Sequence, residues 1–286
     1  TEFGIVEMGA NHQKEIEFLC ELATPDYGYI TNFGKAHLEG FGGVEGVIKG
    51  KSEMYHYLSE NDKLAFINLE DKIQVEKSSA LKCYTFGIKK EHASVNINSI
   101  AANPFVEVQF SDLQIKTHLI GLYNANNINA ALAIGKYFGV DDTEIKDALE
   151  SYIPENNRSQ LISKGTNQII LDAYNANPSS MAVAIENFLQ LDDSNKVMIL
   201  GDMFELGTES AQEHKAIINL LLDTKDVAFY LVGKEFYAHR VNSKNFYFYE
   251  TFDAFSEYLN GIKLENSSIL IKGSRGMALE RTLQFL

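Results

Sequence analysis

The stretch "NQIILDAYNANPSSMAVAIENFLQL", residues 167–191, contains the pattern that decides the fold. It begins with a short apolar run, as expected of a strand that is buried on both faces. A polar loop follows, and Pro178 then stands where the first turn of a helix tolerates proline best. The remaining residues place apolar side chains at helical spacing. A buried strand, a short loop and a helix are the repeating unit of an α/β sheet.

The same unit recurs along the chain and predicts two mostly parallel sheets flanked by helices. In the first half we predict strands at residues 1–8, 27–33, 63–69 and 83–87, and helices at residues 11–23, 44–58 and 71–79. In the second half we predict strands at residues 167–174, 195–202, 227–233, 245–250 and 267–273, and helices at residues 179–191, 210–223, 252–262 and after Ser274.

Residues 93–120 depart from this alternation, because they contain strand-like stretches with no helix between them. The period-two pattern in "FVEVQFSDLQIKTHLI" predicts an antiparallel hairpin with its turn at Ser111-Asp112. Two helices are expected next, the second with Asp141 or Asp142 as its N-cap. Pro154 and the polar "PENN" then mark a domain boundary, which divides the chain into residues 1–153 and 154–286.

Composition and charge exclude several classes of protein. The 286 residues carry a formal net charge of -14, whereas a nucleic-acid surface needs a basic stripe. No apolar run approaches the roughly 18 residues of a membrane span, so we expect no membrane insertion. Cys20 and Cys83 lack the spacing of a zinc site and indicate free thiols in the reducing cytoplasm.

Five polar residues stand at or just past predicted strand ends, where α/β sheets bind ligands: Glu7, Asn32, Asp172, Asp202 and Lys272. Each signal taken alone has a structural alternative. "GDMFELG" fits a turn in which Asp202 caps a helix and Gly207 relieves strain. "YNANPSSM" fits a loop that enters a helix, and "IKGSRGM" resembles an anion cradle.

The order and spacing of seven segments together are far more specific: "EMGANHQKEI", "ITNFGKAHLEGFG…KGKSEMY", "GLYNANNINAALAI", "NRSQLI", "LDAYNANPSSM", "GDMFELG" and "IKGSRGM". Between Glu7 and Met277 the chain closely resembles the Mur ligase family, most of all its MurF type. That resemblance implies an ATP-dependent ligase of cytoplasmic peptidoglycan precursor synthesis. It would join D-alanyl-D-alanine to UDP-N-acetylmuramoyl-tripeptide through an acyl phosphate, acting as a monomer with ATP and Mg²⁺.

The resemblance also implies what the two domains are. Residues 1–153 would be the central ATP-binding domain, a P-loop-type ATPase domain with an antiparallel extension, and residues 154–286 a Rossmann-like C-terminal ligase domain. The family's phosphate loop and UDP-binding domain lie upstream of the strand that carries Glu7, and this sequence begins at that strand. We therefore expect Thr1 to be a truncation point and the 286-residue fragment to be inactive.

Lys51 matches the family lysine that reacts with carbon dioxide to form a carbamate, an oxygen ligand suited to Mg²⁺. This chemistry needs a neutral amine, hence a lysine whose pKa is lowered. Lys49 lies two residues away, about 200° round the helix, and suits a solvated position better. Glu7 and His37 match the residues that hold a second Mg²⁺, so the resemblance implies a metal site of Glu7, His37 and Lys51.

The remaining matches concern the nucleotide and the substrates. The resemblance implies that Asn127 binds the adenine, although Tyr123 stands where the family has a histidine. Arg158 would reach the nucleotide phosphates, and Asp172 would complete the nucleotide site. The implied substrate-facing residues are Asn32, Asn175, Asn177, Lys272 and Arg275.

Two kinds of alternative remain open. One keeps the chemistry and changes the amine, as in a sister Mur ligase or a folylpolyglutamate-synthase-like amide ligase, which the "YNANP" and "GDMFELG" pair disfavours. The other is a non-catalytic module that binds nucleotide or muropeptide. The residues do not reveal whether the tripeptide ends in diaminopimelate or in lysine.

Overall fold

The structure is a computed structural model and describes residues 2–35, 37–155 and 157–286. The chain divides into two compact units, Thr1–Tyr152 and Ile153–Leu286, which we call the N-terminal and C-terminal units. The division falls one residue before the boundary expected at Pro154. Within the described residues, no helix is both long and apolar enough to cross a bilayer.

The N-terminal unit contains a parallel sheet, a separate antiparallel sheet and helices that pack on them. Its strands are β1 (Tyr27–Tyr29), β2 (Leu64–Asn68), β3 (Lys82–Ile88), β4 (Val95–Ile97), β5 (Ser99–Ala102), β6 (Phe105–Phe110) and β7 (Leu113–Ile120). Its α-helices are α1 (Glu15–Ala23), α2 (Leu38–Phe41), α3 (Val44–Glu60), α4 (Lys72–Lys77), α5 (Ala125–Tyr137) and α6 (Asp142–Ser151).

Strands β1 to β4 form the parallel sheet in that order, and β5, β6 and β7 form the antiparallel one. The predicted hairpin is confirmed, because β6 and β7 pair through Phe110 and Leu113 across the Ser111-Asp112 turn. Helix α3 packs directly on β1, since a Cβ added at Gly28 would lie 2.8 Å from the side chain of Leu58. This contact sets α3 over the sheet edge where β1 ends.

The strand predicted at residues 1–8 is wrong for the described residues 2–8, which form no strand. Ile5 is 98% exposed, and the Phe3 ring makes an edge-to-face contact with Phe138, with 5.0 Å between the ring centres. A parallel strand is stable when neighbouring strands take up its hydrogen bonds and both of its faces are covered. Residues 2–8 have neither strand neighbours nor covered faces in this structure, although their apolar run is typical of a buried parallel strand.

The C-terminal unit is a Rossmann-like α/β domain, as expected. Its strands are β8 (Gln160–Lys164), β9 (Asn167–Asp172), β10 (Lys196–Gly201), β11 (Val227–Val232), β12 (Phe246–Tyr249) and β13 (Ser268–Lys272). Its α-helices are α7 (Pro178–Leu189), α8 (Ser210–Leu221), α9 (Lys234–Ala238) and α10 (Phe252–Asn260).

The six strands lie in the order β12-β11-β10-β13-β9-β8, and all neighbours are parallel except β8 and β9. Because β9, β10, β11 and β13 run parallel, their carboxyl ends meet at one edge of the sheet, which we call the C-terminal edge. The helix predicted after Ser274 is instead two 3-10 segments, Arg275–Met277 and Leu279–Phe285. Ala278 separates them in a left-handed conformation (φ 47°), which interrupts an α-helix. Strand β8 and the short helix α9 were not predicted.

Candidate functional site

The C-terminal edge is organised around a buried ion pair. Lys272 and Asp172 end the neighbouring parallel strands β13 and β9 and lie directly opposite each other in register. The Lys272 Nζ lies 2.6 Å from the Asp172 Oδ2, and it also donates to the Asn175 carbonyl at 3.2 Å. The Lys272 side chain is only 2% exposed, so this ammonium is already paired within the protein.

The second oxygen of Asp172 is held by the segment that leads into β8. The Ser159 backbone N–H donates to the Asp172 Oδ1 at 3.1 Å. Next to it, the exposed guanidinium of Arg158 lies 3.9 Å from the centre of the Tyr174 ring, in a cation–π contact. Arg158 and Asp172, both predicted to serve the nucleotide, are therefore neighbours at this edge.

Asp202, directly after β10, caps helix α9. Its carboxylate accepts the backbone N–H groups of Glu235 at 2.9 Å and Phe236 at 3.0 Å. Burial raises the pKa of this carboxyl, and the two backbone donors oppose that shift. A side chain at Gly233 would collide with the cap, because an added Cβ would lie 2.2 Å from the Asp202 Cγ. Asp202 thus caps a helix, as the structural alternative predicted, but the helix is the distant α9 rather than one next to the turn.

Ser274 joins three of the loops at the C-terminal edge. Its N–H donates to the Asp202 carbonyl at 3.1 Å, and its hydroxyl accepts the Phe204 N–H at 2.8 Å. The same hydroxyl lies 3.3 Å from the Ala176 carbonyl, to which it donates. The Phe204 ring rests on Gly276, where an added Cβ would approach it to 2.7 Å, yet this residue remains 45% exposed.

Three of the predicted substrate residues have partners inside the C-terminal unit. Asn177 is the N-cap of α7 and forms a capping box with Ser180, whose N–H donates to the Asn177 Oδ1 at 2.9 Å. The Asn175 Oδ1 accepts the Ala176 N–H at 2.8 Å. Arg275 is exposed and pairs with Glu280 at 3.2 Å. Each asparagine thus uses its Oδ1 within the unit, and Arg275 offers an exposed positive charge at this edge.

In the N-terminal unit, Lys51 reaches the end of β1. It lies on α3, and its Nζ donates to the carbonyl of Asn32 at 2.7 Å. Burial lowers the pKa of the Lys51 amine, and the Asp71 carboxylate opposes the shift. Lys49, two positions away on the same helix, is exposed. The predicted difference between the two lysines is therefore present in the structure.

The other two proposed metal ligands lie in the segments that precede helices α1 and α2. Glu7 is exposed in the extended segment before α1, and His37 is the N-cap of α2 with a left-handed backbone (φ 53°). Among the described residues, no group of three or more His, Cys, Asp or Glu side chains could hold a metal ion. An unmodified lysine amine is also no ligand for a hard cation. The magnesium site of Glu7, His37 and Lys51 therefore stays a prediction.

Asn127, the predicted adenine contact, is exposed on the first turn of α5. Its Nδ2 lies 3.3 Å from the Oδ1 of the buried Asn124, which itself donates to the Ile120 carbonyl at 2.8 Å. Asn124 therefore orients the side-chain amide of Asn127. Asn32, the predicted substrate contact, uses its Oδ1 to accept the Gly34 N–H at 3.0 Å.

Sequence reasoning missed two residues that organise the C-terminal edge. His214 lies fully buried on α8, twelve residues beyond Asp202, and nothing in its local sequence marks it. Ser159 follows Arg158, but its role depends on β8, which was not predicted. Ser274 stands in the quoted "KGSRGM", so the motif itself pointed to it.

Comparison with known protein families assigns one domain to each half of the chain. Residues 1–135 match the Mur ligase middle domain, and residues 157–275 match the Mur ligase glutamate ligase domain. The chain belongs to the Mur ligase family. Both of its units are thus recognised as Mur ligase domains in the order in which the family carries them.

Among relatives, the UDP-N-acetylmuramoyl-tripeptide--D-alanyl-D-alanine ligase of Rickettsia prowazekii is 30% identical over 300 aligned positions, which cover 100% of this chain and 66% of the relative. A crystal structure of MurF from Acinetobacter baumannii matches with a TM-score of 0.82 and 30% identity, covering 96% of this chain and 62% of the other. MurF ligase from Thermotoga maritima, in complex with ADP, matches with a TM-score of 0.81 and 25% identity, covering 98% and 65%. The chain therefore spans somewhat less than two thirds of the length of these Mur ligases.

Proposed function

We propose that the complete protein is an ATP-dependent ligase that joins D-alanyl-D-alanine to UDP-N-acetylmuramoyl-tripeptide. The observation that carries the proposal is the C-terminal edge, where Asp172, Lys272 and Ser274 connect the ends of β9, β13 and β10 in one hydrogen-bonded set. Ligands of open α/β sheets bind at such edges. A relative that aligns with the whole of this chain at 30% identity is named for this reaction.

The proposed reaction has two steps that balance. A terminal carboxylate oxygen of the tripeptide attacks the γ-phosphorus of ATP, giving an acyl phosphate and ADP. The amino group of the dipeptide then attacks the acyl carbon, and a tetrahedral intermediate forms. Phosphate leaves with the former carboxylate oxygen as the amide forms, and the amine loses one proton. Groups that stabilise the oxyanion and the transferring phosphoryl group accelerate both steps.

In the N-terminal unit, the proposal gives Lys51 the role of a carbamate. Its neutral amine would add carbon dioxide to give N-carboxylysine and release one proton. The low pKa that burial causes supports this step, because a protonated amine cannot attack. Asn127 would contact the adenine. Magnesium remains an expectation from the family for Glu7, His37 and Lys51, and no step is assigned to it.

In the C-terminal unit, Arg158 and Asp172 would serve the nucleotide, since they lie together at the C-terminal edge. Asn175, Asn177 and Arg275 would face the substrates, with Arg275 offering the exposed positive charge. Lys272 was also predicted to face a substrate, and its 2% exposed ammonium, paired with Asp172, would in addition orient that carboxylate. We also propose that the enzyme acts as a monomer in the cytoplasm, where ATP and UDP-linked precursors are available.

The experiment is a phosphate-release assay on the complete protein with ATP, UDP-N-acetylmuramoyl-tripeptide and D-alanyl-D-alanine. We expect release to require all three, and mass spectrometry to find the pentapeptide product. Parallel reactions replace the dipeptide with single amino acids, or the UDP-precursor with a folate. Turnover with one of these replacements, and none with the dipeptide, would assign the protein to a sister ligase or to a folylpolyglutamate-type enzyme. Binding without any turnover would assign it to a non-catalytic module.

A further inference from the structure

His214 carries a fully buried imidazole, in which one ring nitrogen accepts a hydrogen bond and the other donates one. Its Nε2 accepts the backbone N–H of Met203 at 3.0 Å. Its Nδ1 lies 2.8 Å from the Ser210 carbonyl, which can only accept. The ring must therefore be neutral, with its proton on Nδ1. The imidazole also makes an edge-to-face contact with the Phe236 ring, with 4.8 Å between the ring centres.

The Met203 amide that His214 holds leads directly to the exposed surface of the C-terminal edge. Met203 itself is 1% exposed, and the next residue, Phe204, is bound to Ser274 and seated on Gly276. Ser274 in turn donates to Ala176 at the start of the "NANP" segment. The imidazole thus fixes the buried end of the loop that places Phe204 next to the segment of Arg275.

We propose that the surface of Phe204 and Arg275 receives D-alanyl-D-alanine and that His214 is its positioning residue: in its neutral form His214 fixes the loop of Met203 and Phe204, and protonation releases that loop. The inference rests on the proposed function, because it takes D-alanyl-D-alanine as the ligand of this surface. His214 touches no substrate and acts through the backbone of Met203.

Protonation would change the hydrogen-bond pattern in one specific way. A proton on Nε2 turns the acceptor of the Met203 N–H into a donor, so this bond is lost. The nearest charged acceptor is the Asp202 Oδ1, 3.7 Å from Nε2, which already accepts the Phe236 N–H. Glu235 also faces the imidazole and favours its charged form, whereas His239 opposes it. Burial outweighs these charges and lowers the pKa of His214.

Two substitutions in the complete protein separate positioning from simple packing. His214→Gln supplies a carbonyl oxygen for the Met203 N–H and an amide N–H for the Ser210 carbonyl, without titrating. His214→Leu fills the space and supplies neither. We expect His214→Leu to raise the KM for D-alanyl-D-alanine about tenfold, because the Met203 N–H is left unpaired and no longer fixes the loop. The KM for ATP should change less than about twofold, and His214→Gln should stay near wild type at neutral pH.

The pH profile is the deciding readout. In the wild type, the KM for the dipeptide should rise in acid in parallel with the protonation of His214, followed by ¹⁵N NMR of the imidazole. In His214→Gln this rise should be absent, whereas His239→Gln, the control that removes a neighbouring imidazole but keeps His214, should retain it. An unchanged acid profile in His214→Gln would overturn the inference, as would equal increases in both KM values in His214→Leu.

The outcomes also distinguish this inference from the proposed function. If the proposed function fails, no turnover depends on the dipeptide and no profile can be measured. If only the inference fails, turnover persists with the same profile in wild type and His214→Gln. Should His214→Leu not fold, the comparison of His214→Gln with wild type and His239→Gln still decides.

Discussion

The strand ends of the two units differ in how completely their polar groups are paired. At the C-terminal edge, Lys272, Asp172 and Asp202 are each held by two or more partners. In the N-terminal unit, Lys51 has one carbonyl partner at 2.7 Å, and Glu7 lies exposed outside the sheet. A buried charge is tolerated only when it is paired and hydrogen-bonded, whereas an exposed one needs nothing. The polar side chains of the C-terminal edge are therefore held in place by contacts within their own unit. Lys51 and Glu7 in the N-terminal unit are held less firmly.

The largest effect should come from removing the ammonium at the C-terminal edge. Lys272→Met leaves the Asp172 carboxylate without its cation in a mostly buried position, and breaking such a pair costs about 3–5 kcal/mol of unfolding free energy. Lys51→Met is the matched substitution in the other unit. It removes an amine that burial already disfavours, so we expect a change within about 1 kcal/mol.

Hydrogen exchange read by mass spectrometry measures each unit separately, with β13 and β2 as reporters. The double variant Asp172→Asn/Lys272→Met should recover part of the loss, because it leaves no unpaired charge. Similar losses in Lys272→Met and Lys51→Met would mean that the two edges do not differ in the way the contacts indicate.

The second prediction measures activity instead of stability, and here the large effect is expected at Lys51 in the N-terminal unit. Lys51→Ala in the complete protein should lower kcat/KM at least about 100-fold, about 2.7 kcal/mol, if Lys51 acts as a carbamate. Lys49→Ala should change it less than about twofold, because Lys49 points to solvent from the same helix. Added bicarbonate or small carboxylates should partly restore Lys51→Ala, whereas Lys51→Arg should stay inactive, since a guanidinium forms no carbamate. Equal, mild losses in the two alanine variants would remove the special role of Lys51.

Much of this arrangement could be predicted from local patterns. The spacing of apolar residues predicted α3, and the period-two pattern predicted β6 and β7 with their turn at Ser111-Asp112. The strand-end rule also brought Asp172 and Lys272 to one edge, because both end neighbouring parallel strands. These features depend on residues close together in sequence or on a general property of parallel sheets.

The failures have a different physical origin. An apolar run such as residues 2–8 predicts burial, but it does not identify the strands that would pair with it. The partner of Asp202 is the start of α9, more than thirty residues further on, and His214 carries no local signal at all. A motif also cannot show that the Lys272 ammonium is paired with Asp172. Contacts between distant segments decide these points, and one sequence does not contain them explicitly.

The third prediction concerns the pH dependence of the unfolding free energy that the buried His214 causes. Burial lowers the pKa of His214 in the folded protein below the unfolded value of about 6.5. The unfolded chain therefore takes up this proton first, so the stability contribution is complete above pH 6.5. It is lost as the pH falls from there toward the folded pKa, by at most about 1.4 kcal/mol per pH unit.

Urea unfolding between pH 7 and pH 5 should show this slope in the wild type and a flatter profile in His214→Gln. Asp202 acts in the opposite sense at lower pH, because its raised pKa makes the folded state bind that proton first. The difference between the two profiles isolates His214, since both proteins retain Asp202. A slope that survives unchanged in His214→Gln would show that another group causes it.

The smallest effect concerns Asn177, for which the resemblance and the geometry suggest different duties. Asn177 caps α7 with its Oδ1, so Asn177→Ala should cost about 1 kcal/mol of unfolding free energy. Asp141→Ala is the matched control, because Asp141 stands at the N-cap of α6 without a side-chain cap bond and should cost only a few tenths of a kcal/mol. Asn177→Asp keeps the accepting oxygen and adds a negative charge where a helix start favours it, so stability should return. If the amide Nδ2 also binds a substrate, the aspartate variant regains stability but keeps a raised KM in the complete protein. If both stability and KM return to the wild-type values, Asn177 serves the helix alone.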